Sequence, residues 1–276
     1  MILMTRYRAV AASLAVVALA ACEKTAVQVI DAPEVPAAQV RFFNFGHGAP
    51  GLNFYANTTK LTAISSATCS PTPTDTVQQR ICRESGAEST TGVVYGGVAS
   101  GGLYTGIAPG DYTLKGLIAA TVDKDLVVAS LPTTLAAGKI YSFYTSGPYN
   151  TTTKTVDAFI VEDPLPAQDW DVAQIRFVNA SFNSSAMTLT VRDSTGAART
   201  ETAIGGAVAY KSAGTFVSIP AGLYQLYTTN TGSATKVIQR DGVTFAAGRI
   251  YTITARGDIT LGTGTNAKAL DNTANR

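Results

Sequence analysis

Ala38-Gln39-Val40-Arg41-Phe42-Phe43-Asn44 returns 135 positions later as Ala173-Gln174-Ile175-Arg176-Phe177-Val178-Asn179. Two further blocks return in the same order. Gly110-Asp111-Tyr112-Thr113-Leu114 reappears as Gly222-Leu223-Tyr224-Gln225-Leu226, an offset of 112. Ala136-Ala137-Gly138-Lys139-Ile140-Tyr141 reappears as Ala246-Ala247-Gly248-Arg249-Ile250-Tyr251, an offset of 110. Val/Ile and Lys/Arg exchanges inside the blocks preserve size and charge. The chain therefore reads as two copies of one unit, each within the ordinary size range of a domain. The offset falls by 135 − 112 = 23, so copy one carries a 23-residue excess between its first and second blocks. That excess covers the region of Cys69 and Cys82 and is expected to be a surface loop.

The local pattern is β throughout. Leu52, Phe54 and Ala56 alternate with Asn53 and Tyr55, and Met187, Leu189 and Val191 alternate with Thr188 and Thr190. Such alternation marks strands with one buried face. Ile140–Tyr144 and Ile250–Thr254 are the strongest strands, and Pro-Gly or Ala-Gly turns precede the tyrosine strands. Short strands broken by frequent turns predict an all-β fold of two tandem immunoglobulin-like antiparallel β-sandwich domains. Each repeat places a tyrosine just after a glycine, expected in the core with its hydroxyl bonded to nearby backbone.

Ala173–Ser181, Ile219–Tyr224 and Ala247–Thr252 together resemble the domain of unknown function 4397 family. Copy one departs from that pattern, because Phe43-Asn44-Phe45-Gly46-His47 replaces the Val-Asn-Ala-Ser segment. The resemblance implies a β-sandwich module of bacterial envelope and secreted proteins, often in tandem. It implies no reaction and no catalytic residue.

The N-terminus carries Arg6 and Arg8, then a 13-residue uncharged run, Ala9–Ala21. A basic start and a short apolar run make a secretory signal, too short for a permanent span of about 20 residues. Its end, Leu19-Ala20-Ala21-Cys22, resembles the bacterial lipobox. Residues 1–21 are thus expected to be a lipoprotein signal peptide and Cys22 to be the lipidated first residue. Residues 22–37, with Pro33 and Pro36, read as a flexible tether. The expected location is a bacterial cell envelope, lipid-anchored at the outer membrane, periplasmic or surface-facing. Export makes Cys69 and Cys82 a disulfide pair. Closing their 14-residue loop is valued at about 3 kcal/mol.

Residues 38–162 and 173–276 are then the two sandwich repeats, and residues 163–172 the linker. Pro164, Pro166 and Asp169-Trp170-Asp171 mark that linker, and Trp170 is expected to pack at the junction. The second repeat is expected to end in a weak strand. Extending the 110 offset sets Asn266–Asp271, without β-branched or aromatic residues, against Val156–Val161.

Charged residues are few, at 14%, which excludes a coiled coil and a charged disordered chain. Lys and Arg number 21 against 19 Asp and Glu; removing Arg6 and Arg8 leaves 19 against 19. A neutral chain lacks the basic footprint of a nucleic-acid binder. The sole histidine, His47, stands where copy two has Phe182, so the fold does not require it for chemistry. Asp123 and Asp125 lack the remaining ligands of a calcium loop. The glycine pairs lack the Gly-Lys-Ser/Thr of a phosphate loop. Arg256-Gly257-Asp258 is a three-residue match to an adhesion tripeptide and is weak alone. Four Asn-x-Ser/Thr sites, at Asn57, Asn150, Asn179 and Asn183, are expected to stay unmodified in a bacterial lipoprotein. No catalytic residue, metal site or cofactor is assigned, and no ligand-binding residue is named. The expected role is non-catalytic: an anchored protein that presents two modules to a ligand, glycan or envelope protein. A polysaccharide-active enzyme and a structural accessory subunit are the alternatives.

Overall fold

The computed structural model describes residues 38–62, 64–65, 87–88, 91–195 and 198–275. Cys22, Cys69 and Cys82, with the signal and most of the inserted loop, lie outside the described residues. In chain order the first repeat holds β1 (Ala38–Asn44), β2 (Leu52–Ala56), β3 (Thr59–Lys60), β4 (Ile64–Ser65), β5 (Ala87–Glu88) and β6 (Gly97–Val98). It continues with β7 (Thr105–Ile107), β8 (Gly110–Ile118), β9 (Val127–Leu135), β10 (Lys139–Asn150) and β11 (Thr155–Glu162). The second repeat holds β12 (Val172–Asn179), β13 (Met187–Asp193), β14 (Glu201–Val208), β15 (Ser212–Ala213) and β16 (Val217–Pro220). It ends with β17 (Gly222–Asn230), β18 (Lys236–Phe245), β19 (Ile250–Arg256) and β20 (Ala269–Ala274).

Four sheets form two sandwiches. In the first, β3-β2-β8-β9 faces β11-β10-β1-β6, with β7 also on β1. In the second, β14-β13-β17-β18 faces β15-β12-β19-β20, with β16 also on β12. Strand for strand the two topologies agree. Each contains one parallel pair in an otherwise antiparallel arrangement: β1 runs parallel to β10, and β12 to β19. The small pair β4–β5 flanks the insertion that holds the two cysteines.

Alternation sends Val40 and Phe42 into the first core, where Phe42 stacks on Phe54 at 5.0 Å. Their counterparts Ile175 and Phe177 enter the second core with Leu189, Leu226 and Ile253. Tyr112 donates its hydroxyl to the Ala108 carbonyl, and Tyr224 donates to that of Pro220. The Tyr141 and Tyr251 hydroxyls accept from the Ala136 and Ala246 amides. The repeated tyrosines therefore pin the turns that launch their strands.

The opposite faces of β1, β10, β12 and β19 do not meet water. Phe43, Phe45, Tyr144 and Phe159 of the first sandwich pack on Val178 and Ala180 of the second. Tyr144 stacks between Phe43 at 4.5 Å and Phe159 at 5.0 Å. The central sheets are covered on both faces, the environment in which parallel pairing is found. Everything from Pro36 onward groups as one compact unit. The two sandwiches therefore meet directly, through a buried aromatic seam, as well as through residues 163–172.

Three further expectations change. Asp163, placed in the linker, is 1% exposed, and Val172 already belongs to β12. Trp170 does not pack at the seam; it is 74% exposed and lies over Gly248 of the second sandwich. The terminal segment also forms a full strand, β20, paired with β19 over six residues. Extending the 110 offset misaligned it, because the turns between the last two strands differ in length. The pairing sets Glu162 opposite Tyr141 and Ala274 opposite Tyr251, an offset of 112. Leu270 fills the core and Asp271 pairs with Arg256, so packing overrides the weak β propensity.

Candidate functional site

The charged residues converge at the seam. Arg41 and Arg176, the invariant arginines of the repeated block, point away from their own cores and toward the opposite sandwich. Arg41 donates to the Ala274 carbonyl at 3.3 Å and to Asn275 Oδ1 at 2.7 Å. Arg176 donates to the Glu162 carbonyl at 3.0 Å and to the Asp163 carboxylate. Ala274 is the counterpart of Glu162, and Asn275 of Asp163. The backbone agrees: Asp163 N donates to Ile140 O and Asn275 N to Ile250 O. Each arginine thus grips the end of the other sandwich's last strand, as an isologous two-fold interface requires.

The same symmetry orders the rest of the seam. Arg41 lies over the Tyr104 ring at 4.4 Å, and Arg176 over Phe216 at 5.1 Å. The Tyr210 hydroxyl donates to Ser146, while its counterpart Tyr95 lies under Arg256, the counterpart of Ser146. His47 meets Phe182, its own repeat partner, edge to face at 5.6 Å. This ring pair joins corresponding loops of the two sandwiches. His47 binds neighbours through its backbone, to Gly147 and Tyr149.

The symmetry also breaks at the buried acid. Asp163 is an acid and Asn275 is an amide, so two buried guanidiniums share one carboxylate. Asp163 accepts from Arg176, from Ser142 at 2.6 Å and from the Tyr104 hydroxyl at 2.7 Å, with Arg41 3.8 Å away. Arg41, Asp163 and Arg176 side chains are all 0% exposed. Burial, then the neighbouring Asp163 charge, pushes the Tyr104 phenol above its ordinary range; burial does the same to Tyr144. Both phenols stay neutral. The three charged side chains are fully buried and tie the two sandwiches together, while Tyr104 and Asn275 at the edge of the cluster are half-buried.

Other residues weighed from the sequence resolve into structural parts. Asp123 pairs with Lys154 at 3.2 Å on the surface. Arg256 is tied to Asp271, and Asp258 accepts from Thr260 and Asn183. Arg256 of the Arg-Gly-Asp tripeptide is thus held over Phe45 and Tyr95 at the seam, while the hydrogen bonds of Asp258 are exposed. Those bonds, with Thr260 first, hold the Asp258 carboxyl below the usual carboxylate range. Asn179 is fully buried and bonded to Ser184 and Val208. No group of three or more metal-ligating side chains occurs among the described residues.

Two open surface clefts lie among the described residues. One, of about 400 Å³, lies on the outer face of the first sandwich between Asn57, Asp111, Thr113 and Thr133. Its polar groups are largely engaged: Asp111 accepts from Thr134, and Asn57 from the Thr113 amide. The other, of about 600 Å³, is lined by Pro166, Gln168, Asp169, Trp170, Asp171 and Gln174. The sequence marked this segment by its prolines and lone tryptophan but read it as a spacer; the Asp-Trp-Asp order was the signal for an exposed site.

Comparison with known proteins gives a family and little else. No curated protein matches the chain. Among solved structures, a protein described as the Bacillus anthracis TIE protein shares 11% identity at a TM-score of 0.22. It covers 80% of this chain, which spans 34% of its length. A leucine-rich repeat protein from Bacteroides thetaiotaomicron VPI-5482 shares 12% identity at a TM-score of 0.20, covering 81% of this chain and 26% of its own. Likeness that low carries no argument about function. The model of the domain of unknown function DUF4397 matches residues 38–190, from β1 through most of β13 and thus across both sandwiches. With more than half of its length matched, this chain belongs to the DUF4397 family.

Proposed function

We propose that the chain is a non-catalytic, lipid-anchored protein of a bacterial cell envelope, in which two tandem copies of the family domain present a binding surface. One observation carries the reading. The charged side chains Asp163, Arg41 and Arg176 are fully buried where the sandwiches meet, and the half-buried Tyr104 donates its hydroxyl to Asp163. Buried charge used in this way orients two bodies and reaches no substrate. What faces outward is a pair of open clefts and polar sheet faces. Lipidation at Cys22 and the 22–37 tether would hold this body off an outer membrane. Acyl chains contribute about 0.8 kcal/mol per buried CH₂, and two or more give stable anchoring.

The test has two arms. Fractionation of cells carrying wild type or Cys22→Ser is expected to move the protein from membranes to the soluble or unprocessed fraction. A processed Cys22→Ser chain that still partitions with membranes overturns the anchor. Release of soluble sugar from envelope polysaccharide by the purified chain overturns the non-catalytic role.

A further inference from the structure

We propose that the Trp170 cleft docks an arginine side chain carried by a segment of a partner protein. This rests on the reading of the chain as a binding module and names the chemistry of its partner.

Trp170, the only tryptophan, is left 74% exposed although an indole gains much from burial. It is exposed and yet held. Gly248 lies under the ring at φ +73°, where a Cβ would come within 2.8 Å of Trp170 Cε3. Gln168 Nε2 donates to the Gly248 carbonyl at 2.9 Å, and Gly248 N donates to Val172 O at 2.9 Å. Asp169 Oδ1 accepts the Asp171 amide at 3.0 Å and fixes the turn that carries the indole. An aromatic ring held in place before binding loses little freedom when a ligand arrives. At Gly138, the counterpart of Gly248, nothing among the described residues lies within 4 Å of the same Cβ position.

Charge selects the occupant. Asp169 and Asp171 flank the indole, are exposed, and form no ion pair among the described residues. Glu162, Asp157 and Asp123 each pair with a lysine, whereas exposed Asp111, Asp125 and Asp241, like Asp169 and Asp171, form no ion pair among the described residues. Arg249 accepts the Gln174 amide at its carbonyl, but its guanidinium pairs with neither acid. Two unpaired carboxylates beside an aromatic face repel anionic glycans and phosphates, and attract a cation. A guanidinium meets both features at once, since it stacks flat on an indole and bonds carboxylates through a fork. The cleft, about 600 Å³ and open, admits a side chain still attached to its backbone.

The sole tryptophan is its own reporter. The full chain in detergent is titrated with N-acetyl-arginine amide, its uncharged citrulline analogue, N-acetyl-lysine amide, methyl glucoside and a short arginine-containing peptide. A saturable change in indole fluorescence is expected with the arginine amide and the peptide, weakening as salt rises. The citrulline analogue, and Asp169→Asn/Asp171→Asn against arginine, should bind about tenfold more weakly. An equal response to citrulline or lysine overturns the guanidinium assignment, as does a stronger response to the glucoside, which would make the cleft a sugar site. Binding of the amide without the peptide overturns docking of a protein segment, and no saturable change with any cation overturns the site. These outcomes read the cleft alone, so failure of the Cys22 or polysaccharide test leaves them distinguishable.

Discussion

Asp163→Asn is the sharpest test of how the two sandwiches hold together. The substitution keeps shape and leaves two fully buried guanidiniums with no anion. Removing one partner of a buried ion pair costs about 3–5 kcal/mol, because the remaining charge stays desolvated. For a body of 150–250 residues each kcal/mol lowers Tm by about 2–4 °C, so the expected fall is about 6–20 °C by calorimetry. The pseudo-two-fold axis supplies the control. Asn275 occupies the place of Asp163 and already accepts from Arg41 at 2.7 Å. Asn275→Asp in the Asp163→Asn background moves the single carboxylate to the other side of the axis. It should recover a large part of the loss, since Arg41 then gains what Arg176 gives up. If Asp163→Asn does not accumulate, rescue by the second substitution is itself the readout. A fall in Tm below about 2 °C for Asp163→Asn, or no recovery in the double variant, refutes the claim that this carboxylate balances both arginines.

Alkaline pH gives a second expectation. Tyr104 and Tyr144 have folded-state pKa values raised above the unfolded value of about 10, so the stability they add is complete below pH 10 and is lost as pH rises past it. Their tyrosinate absorbance should appear only together with unfolding; ionisation near pH 10 with unchanged circular dichroism would contradict it. Gly248→Ala and Gly138→Ala share a left-handed φ, +73° and +70°, each strained by about 1–2 kcal/mol. Only Gly248→Ala should also shift the Trp170 fluorescence, and equal spectra would show that the ring does not rest on Gly248. Thiol counting on denatured, unreduced mature protein should find neither Cys69 nor Cys82 alkylatable; two reactive thiols would remove the disulfide.

The sequence yielded the repeat, the β class and the tyrosine-pinned turns, because alternation and turn residues are local. It did not yield the fusion of the two sandwiches, yet the signal stood in the opening block. Phe42 and Phe43 are adjacent, as are Phe177 and Val178, so each strand is apolar on both faces. Adjacent apolar residues in an alternating strand mean two buried faces, and one sandwich covers only one. Arg41 and Arg176 hid that inference, since an arginine beside a core face ordinarily points to water. A polar residue kept at the same place in both copies has a second reading, as the self-complementary contact of a two-fold pair. The partner positions could not be found by offset alone, because Asp163 and Asn275 fall after turns of unequal length and differ in charge. The break in symmetry is physically telling. Two Asp residues on the axis would neutralise both arginines and make the halves interchangeable. A single Asp makes the linker end of the first sandwich the anchor for both. That same residue begins the segment leading to Trp170. One buried carboxylate thus ties the duplicated halves together, while Gln168, Gly248 and Asp169 hold the indole in place.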